Sequence, residues 1–539
     1  MIETVQIAVL LLAVLAAVAL AARRFDLPPA ILLVVVGVAL ALVPGLPRVQ
    51  LVPELVLLLV LPPLIYSAGV AMSWREFRFS LRPIALLAIG CVAFTTVAVA
   101  AVAHALLGLP WAVAFVLGAI VSPPDVVAPL AIARRLGLPR RLLVILEGEG
   151  LANDATALIL YRFAVAAVSA GAFSLGTALG TFGAIFVGEI AFGLAVGWGM
   201  LKLRWLAADA RVEITLSLVT PYLAYWVPEH LGGSGVLATV VAGLYTSWNG
   251  PRLITAATRL QGVFFWSLFT YLVEGMVFLL TGLQARTLID RIGELEAGEL
   301  IGSAALISAV VVVARFVWIF PATYLPRWLS PALARRDPSP PWQAPFLIGF
   351  TGIRGIVSLA AALAIPLATA SGEPFPHRDL ILFLTFAVIM VTLIGQGLAL
   401  PRVIGWLGLA DQGREERRVE DADEIASRRL TIEAALRRID EVASQGQLPA
   451  QIVAPMRAHH FERLRQLDYR LGADAQERRL AELSEDLEAR LIAAEREHLY
   501  ALMCEGRLKD DARRRIENEL DLREAQLRRT TRRSRHDER

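Results

Sequence analysis

The chain has 539 residues, of which 56% are hydrophobic, and its mean hydropathy is +0.59. This apolar share exceeds that of an ordinary soluble domain and indicates a membrane protein whose main partner is the lipid bilayer. The net charge of +3 does not indicate nucleic-acid binding, because acidic residues nearly balance the basic ones. The two cysteines give neither a disulfide framework nor the spacing of a metal site.

The charged residues divide the chain into two parts. Residues 1–410 hold 25 Lys+Arg and 20 Asp+Glu, whereas residues 411–539 hold 27 and 29. This step in charge density predicts a transmembrane domain over 1–410 and a charged, helical cytoplasmic tail over 411–539.

Long apolar windows in the first part predict membrane-spanning helices, each of which needs about 20 mostly apolar residues. The windows, in chain order, are 4–22, 28–45, 51–69, 83–107, 111–136, 141–169, 175–201, 211–227, 234–249, 263–285, 299–325, 343–369 and 378–405. The first window is preceded by Glu3 and followed by Arg23 and Arg24, which is the reverse of a cleavable signal peptide. It is therefore predicted to be a retained helix with its N-terminus outside.

The loops are consistent with thirteen spans. Seventeen Lys and Arg residues follow odd-numbered spans and four follow even-numbered ones, and short cytoplasmic loops collect basic residues. Thirteen spans divide into a six-helix unit, a linker helix and a second six-helix unit of opposite orientation, an arrangement common in secondary transporters. The predicted fold is thus an all-α polytopic membrane protein with two inverted repeats.

Two spans in corresponding positions of the two halves are interrupted. The fifth contains SPPDVVAP, with Asp125 next to Pro124, and the twelfth contains TGIRGIVS, with Arg354 between two glycines. Proline removes a backbone donor and frees a carbonyl group, and unwound backbone is tolerated at membrane depth only where it faces protein or water. A matched pair of such interruptions predicts two broken helices that form a binding site.

The sixth span carries several polar residues in the stretch EGEGLANDATALILYRF, residues 147–163. At 100° per residue, Asp154 and Gly150 share one helix face, and Glu149 and Asn153 share another. An ionised Asp at mid-membrane costs about 2.5 to 3.5 kcal/mol, so Asp154 is predicted either to face a wet cavity or to have a partner. Asp154 and Asn153 offer hard oxygen ligands for a small cation that a proton can replace.

The same reasoning assigns Glu149, on the other face, as the ion-pair partner of a buried cation such as Arg354. Further charges in or beside spans are predicted to form an interior polar network outside the ion site. They are Glu189, Glu213, Glu274 and Arg315.

At these positions the sequence resembles the monovalent cation:proton antiporter family 1, which includes bacterial sodium/proton exchangers. GEGLANDATALILYRF is similar to the family's GESLLND motif, SPPDVVA to S-x-T-D-P-V-A, and TGIRGIVSLA to G-x-R-G-x-V-S-L-A. The resemblance implies thirteen helices, a homodimer in the bacterial cytoplasmic membrane, and alternating access. It implies that Asp154 binds the transported cation or a proton beside Asn153, that Glu149 pairs with Arg354, and that no cofactor is needed.

The sequence departs from the family pattern at three positions. Gly150 stands where a Ser is often found, Pro124 where a Thr is found, and Ser67 where some members carry Glu. Each departure removes a potential oxygen ligand, so Na⁺, Li⁺ and K⁺ stay open as substrates. Asn153 leaves one titratable group where a second Asp would give two, which predicts electroneutral one-for-one exchange.

Two other functions remain to be weighed. A cavity lined by Asp154 and Asp125 could conduct as a cation channel, although paired broken helices favour a carrier. The G-x-S-G of LGGSG could indicate an intramembrane serine protease, which requires a His within reach of Ser234. His104, His230 and His377 are the candidates, and all lie near the predicted outer loops.

Overall fold

The structure, a computed structural model, is built almost entirely from helices. It describes the chain apart from residues 1, 26, 45–50, 171–174, 208, 293–296, 371, 447, 472–474, 506, 509 and 535–539. Helix accounts for 87% of it. Outside helices, the described part contains one isolated antiparallel bridge between Ala368 and Pro374.

The helices of the first half include both long spans and short segments. In order they are α1 (Ile2–Phe25), α2 (Pro29–Ala41), α3 (Pro53–Leu55), α4 (Leu61–Ala71), α5 (Trp74–Phe79), α6 (Leu81–Ala85), α7 (Val92–Leu107), α8 (Trp111–Val121), α9 (Val127–Leu136), α10 (Arg140–Ala170), α11 (Leu175–Ala207) and α12 (Ala210–His230). Two π-helical segments, Val56–Val60 and Leu86–Cys91, join α3 to α4 and α6 to α7.

The second half repeats this mixture and leads into the charged tail. It comprises α13 (Val236–Leu253), α14 (Ala256–Leu283), α15 (Ala285–Ile292), α16 (Ala297–Leu329), α17 (Pro331–Arg336), α18 (Gln343–Phe350), α19 (Ile356–Leu363), α20 (Arg378–Met390), α21 (Gly397–Leu407), α22 (Leu409–Ser444), α23 (Ala450–Leu471), α24 (Ala475–Cys504) and α25 (Asp510–Ser534). A third π-helical segment, Val391–Gln396, joins α20 to α21.

Every predicted window contains helix, but not every window forms one continuous span. In the described residues, eight helical segments are long and apolar enough to cross a membrane, and α2 and α8 are shorter apolar helices. The fifth and twelfth windows are each split into two short helices, α8 with α9 and α18 with α19. The two predicted interruptions are therefore present as breaks in the helices.

The chain divides into two compact units, Met1–Arg414 and Glu415–Arg539. The first has a large buried core of Leu, Ile, Val and Ala from α4, α7, α8, α10 and α13. The second has small apolar clusters, one around Ile432, Leu436 and Leu467 and one around Ile492, Leu499 and Leu520. A stripe on α24, formed by Leu483, Leu487 and Leu491, is more than half exposed and so does not pack within the tail.

A cluster of three arginines binds Asp337, the residue that follows α17. Arg82, Arg141 and Arg327 all donate hydrogen bonds to the Asp337 carboxylate, at 2.7, 2.6 and 2.9 Å. Partial burial alone would raise the pKa of Asp337, but the hydrogen bond from Arg141 and the charges of the three guanidinium groups hold it below its ordinary value. This cluster joins α6, α10 and α16 at one end of the first unit.

Candidate ion-binding site

The two breaks in the helices meet and bond to each other. The first break comprises residues 122–126, between α8 and α9, and the second comprises residues 351–355, between α18 and α19. The backbone N–H of Asp125 donates to the carbonyl oxygen of Ile353 at 2.6 Å. Backbone groups left free by unwinding in one break are thus satisfied by the other, as buried polar groups require.

Arg354 neutralises the end of α8. It is 1% exposed, and it donates to the carbonyl oxygens of Val121 at 2.9 Å and Ser122 at 3.3 Å, and also to that of Gly352. The last carbonyls of a helix have no intrahelical partner and carry partial negative charge. A guanidinium group placed there satisfies the carbonyls and fixes the two breaks against each other.

Asp125 lies on the other side of the crossing, at the start of α9. Its Oδ1 accepts from the backbone N–H of Val127 at 2.9 Å, where the partial positive charge of a helix N-terminus favours a carboxylate. Gly355 lies directly against this carboxyl group, so that a Cβ there would overlap it. A glycine is therefore required for the close approach of the two breaks.

Asn153 connects α10 to the first break. Its side chain is fully buried, and Nδ2 donates to the carbonyl oxygen of Pro124 at 2.7 Å. Its Oδ1 is buried without a hydrogen-bond partner in the described part of the chain. Such an orphaned oxygen costs about 1–3 kcal/mol, so Asn153 Oδ1 is a candidate ligand atom.

Gly150 has a packing role. A Cβ at this position would overlap the side chain of Val126. The absence of a side chain lets α10 approach the first break closely enough for Asn153 to reach Pro124. The structure thus gives a physical reason for Gly150 in place of the Ser that the family pattern led us to expect.

Asp154 lines a cavity of about 790 Å³, together with Pro124, Asp125 and Gly150. The Asp154 side chain is partly exposed, and no described residue forms a hydrogen bond or ion pair with it. Arg134 and Arg259, both exposed, also line the cavity. The cavity therefore connects Asp154 to the ends of α9 and α14 that carry arginines.

The predicted ion pair between Glu149 and Arg354 is wrong. Glu149 instead binds Arg315 through two hydrogen bonds, from Nη1 to Oε1 at 2.5 Å and from Nη2 to Oε2 at 2.8 Å. Arg315 also donates from Nε to the carbonyl oxygen of Ile348 at 3.0 Å. Helical spacing placed Glu149 on a buried face, but it could not decide which of two buried arginines that face meets.

Ser234 is part of a helix cap. Its hydroxyl group donates to both carboxylate oxygens of Glu189 at 3.2 Å, and the backbone N–H groups of Ser234, Gly235 and Leu237 donate to the same carboxylate. This carboxylate satisfies the orphan donors at the start of α13. The arrangement lacks the histidine base that a nucleophilic serine requires, among the residues that the structure describes.

The described ranges contain no group of three or more His, Cys, Asp or Glu side chains arranged to hold a resident metal ion. The polar groups at the crossing are instead one carboxylate beside an amide, a second carboxylate at a helix start, and freed backbone carbonyls. Broken helices that meet beside a cavity lined by carboxylates are a feature of the binding sites of ion-transporting membrane proteins.

The comparisons with known proteins identify the family. Residues 9–406 match the family model described as "Sodium/hydrogen exchanger, transmembrane". The chain therefore belongs to the sodium/hydrogen exchanger family, a family of multi-pass membrane transporters.

Its relatives include both uncharacterised and named exchangers. It is 36% identical over 515 residues to an uncharacterised Na⁺/H⁺ exchanger of Mycobacterium tuberculosis, covering 94% of this chain and 93% of the relative. It is 29% identical over 533 residues to the sodium, potassium, lithium and rubidium/H⁺ antiporter of Bacillus subtilis, covering 95% and 77%.

Among solved structures, the chain is similar to the sodium proton antiporter MjNhaP1 from Methanocaldococcus jannaschii. The TM-score is 0.60 with 17% sequence identity, over 75% of this chain and 98% of that one. At this level of identity the likeness shows a shared fold.

Proposed function

We propose that this protein is a secondary transporter that exchanges a monovalent cation for a proton at Asp154. The observation that carries the proposal is the position of Asp154, a carboxylate without a basic partner in the described residues, on the wall of a cavity beside two crossing breaks. Ionised carboxylates at membrane depth are costly unless they are neutralised. A cation or a proton supplies that neutralisation.

The neighbouring groups complete a set of hard oxygen ligands, which monovalent and divalent hard cations prefer. Asn153 contributes the buried Oδ1 that has no partner in the described chain, and its amide holds the Pro124 carbonyl in place. Asp125 adds a second carboxylate oxygen at the start of α9, and Gly150 permits the close packing that brings these groups together.

Coupling follows from charge. If Asp154 holds either one cation or one proton, and only the neutralised site crosses the membrane, the two ions must alternate. Asn153 carries no titratable group, and Asp125 is held at the start of α9 by the Val127 N–H, so we propose Asp154 as the one carboxylate that exchanges its ion; each cycle then moves one cation against one proton and is electroneutral. We propose Na⁺ as the substrate, with Li⁺ and K⁺ as alternatives, and the broad cation range in the name of the Bacillus subtilis relative supports testing all three.

The architecture proposed for this activity has thirteen spans in two inverted six-helix units. The ion pair between Glu149 and Arg315 is proposed to stay intact while the helices that carry the ion site move. The protein is proposed to be a homodimer in the bacterial cytoplasmic membrane, with the N-terminus outside and the tail of residues 411–539 in the cytoplasm. The fold shared with MjNhaP1 supports the all-helical architecture, and the Arg-rich loops after odd-numbered spans support the proposed orientation of the termini.

The test is exchange by purified protein in proteoliposomes. Gradients of Na⁺, Li⁺ and K⁺ are imposed in turn. The Na⁺ gradient is expected to drive proton movement in wild type and in Asp411→Asn, an exposed control carboxylate outside the cavity, but not in well-folded Asp154→Asn. Coupled exchange retained by Asp154→Asn contradicts the assignment. Cation flux that runs down its gradient without proton movement favours a channel, and current under an imposed voltage contradicts electroneutrality.

A further inference from the structure

The cavity contains one more carboxylate than the ion site uses. Its charged lining residues are Arg134, Arg204, Arg259, Glu147, Asp125, Asp154 and Glu274. Glu147 forms an ion pair with Arg134, and Arg259 donates to backbone carbonyls, including that of Ile254 at 2.6 Å. Three cavity carboxylates, those of Asp125, Asp154 and Glu274, therefore have no ion-pair partner among the described residues.

Glu274 lies on α14, in a row of cavity-lining residues spaced three or four apart. The polar members of this row are Thr258, Ser267, Thr270 and Glu274. With a rise of 1.5 Å per residue, the row extends about 24 Å along the helix, and Thr270 lies about 6 Å from Glu274. One polar face of α14 thus extends from the cavity mouth, where Arg259 is exposed, to Glu274.

Two hydroxyl groups of this row, those of Ser267 and Thr270, donate their protons within the helix. Thr270 Oγ1 donates to the carbonyl oxygen of Trp266 at 2.8 Å, and Ser267 Oγ donates to that of Phe264 at 2.9 Å. Because each hydroxyl proton is used within the helix, the oxygen lone pairs remain available to a cation or its water.

Glu274 itself is half-buried and accepts no hydrogen bond from any residue in the described ranges. Two charged groups act on it across the cavity: the Asp125 carboxylate repels it, and the Arg134 guanidinium, which is paired with Glu147, attracts it. A carboxylate with only a structural role at this depth needs a donor or a basic partner. No described residue bonds to Glu274, and the basic group that attracts it, Arg134, is already paired with Glu147, so a mobile ion is the group that can neutralise it.

Glu274 and Asp154 lie on different walls of the cavity. Helix α14 packs principally against α2, whereas α10, which carries Asp154, packs principally against α8. A movement of α10 with α8 relative to α14 with α2 would therefore change the distance between the two carboxylates. Glu274 would then meet only ions that enter through this cavity.

We propose that Glu274, with the Thr270 hydroxyl group, forms an entry site that holds a hydrated monovalent cation, or a proton, before transfer to Asp154. This inference rests on the proposed exchange function. Because Glu274 loads and unloads from the same side of the membrane, it adds no net charge to the transport cycle, and exchange stays one-for-one.

The experiment measures the apparent KM and the maximum rate of cation-driven proton movement for Glu274→Gln in oriented proteoliposomes of the full-length protein. With cation supplied on the cavity side, we expect the apparent KM to rise about three- to tenfold while the maximum rate stays within about twofold. This pattern is expected when a variant weakens cation binding without slowing the transport step. With cation supplied on the opposite side, we expect both parameters to match wild type. Glu54→Gln, an exposed glutamate outside the cavity, is the matched control and should match wild type on both sides.

An unchanged apparent KM, a rise of equal size on both sides, or a complete loss of exchange like that expected for Asp154→Asn would each overturn the proposal. If Glu274→Gln does not yield folded protein, Thr270→Val decides, because it removes the neighbouring hydroxyl group with little change in shape. A rise in KM on the cavity side alone supports the entry site, and an unchanged KM overturns it. Failure of wild type to couple cation and proton would refute the proposed function instead, whatever the variants show.

Discussion

The buried ion pair between Glu149 and Arg315 should be one of the strongest single interactions in the membrane unit. Both side chains are at most 1% exposed, and two hydrogen bonds of 2.5 and 2.8 Å join them. Each hydrogen bond to a charged group contributes about 1.5–3 kcal/mol, and breaking a buried pair by removing one partner costs about 3–5 kcal/mol. We therefore expect Glu149→Gln to lower the free energy of unfolding by about 3–5 kcal/mol, a large part of the total stability of a protein.

The assay is unfolding of the purified protein in mixed micelles, followed by tryptophan fluorescence, with Glu76→Gln as the control. Glu76 is bonded to Arg140 at 2.7 Å, but the two side chains are 35% and 44% exposed, so its loss should cost less than about 1 kcal/mol.

A double-mutant cycle identifies the partner of Glu149. The coupling energy between Glu149→Gln and Arg315→Met should reach about 2–3 kcal/mol, whereas that between Glu149→Gln and Arg354→Met should stay below about 1 kcal/mol. A coupling to Arg354 as large as the coupling to Arg315 would refute the pairing described above.

Three further variants test the crossing and the arginine cluster. Gly355→Ala places a methyl group against the Asp125 carboxyl group and should reduce exchange at least about tenfold in proteoliposomes. The control, Gly395→Ala, has open space around the added Cβ and should match wild type. Equal rates for the two variants would contradict the close approach of the two breaks. Asn153→Ala leaves the Pro124 carbonyl unpaired, so it should lower the free energy of unfolding by about 1–3 kcal/mol and raise the apparent KM for the cation. An unchanged KM would show that the Asn153 amide does not take part in cation binding. Asp337→Asn should destabilise the protein at neutral pH. A carboxylate whose pKa is depressed on folding contributes stability above its unfolded pKa of about 3.9, and this stability is lost as pH falls through the folded pKa. A destabilisation that persists unchanged at more acidic pH would show that the charge of Asp337 is not its source.

The broken helices could be predicted from sequence because their cause is local. Proline and glycine interrupt backbone hydrogen bonding wherever they occur, and a charge inside an apolar window marks a position that must face protein or water. The same local reasoning placed Asp154 and Glu149 on different faces of α10. The structure shows both breaks and the contact between them.

The contacts between distant helices could not be predicted in this way. Helical spacing gives the face of a residue but not the helix that this face meets, and this explains why Arg354 was paired with Glu149 in place of Arg315. A signal for Arg315 was present, because it is the one basic residue in the apolar window 299–325, where the other charge, Glu299, stands at the window's first position. Nothing in the sequence showed whether that window packs beside α10.

Glu274 illustrates the same limit. Its window predicts a span, yet only the folded arrangement brings the polar face of α14 to the cavity of Asp154. The three π-helical segments were also unpredicted, because an apolar window does not distinguish a π-helical turn from an α-helical one.

The central claim is that one carboxylate holds a cation or a proton but never both, and the most direct test is the dependence of the cation's apparent KM on pH. Competition at a single site predicts that, in the acidic range, the apparent KM rises about tenfold for each unit of pH decrease while the maximum rate at saturating cation stays constant. A maximum rate that falls with pH at constant KM would show that the two ions bind at separate sites, and it would contradict exchange through Asp154.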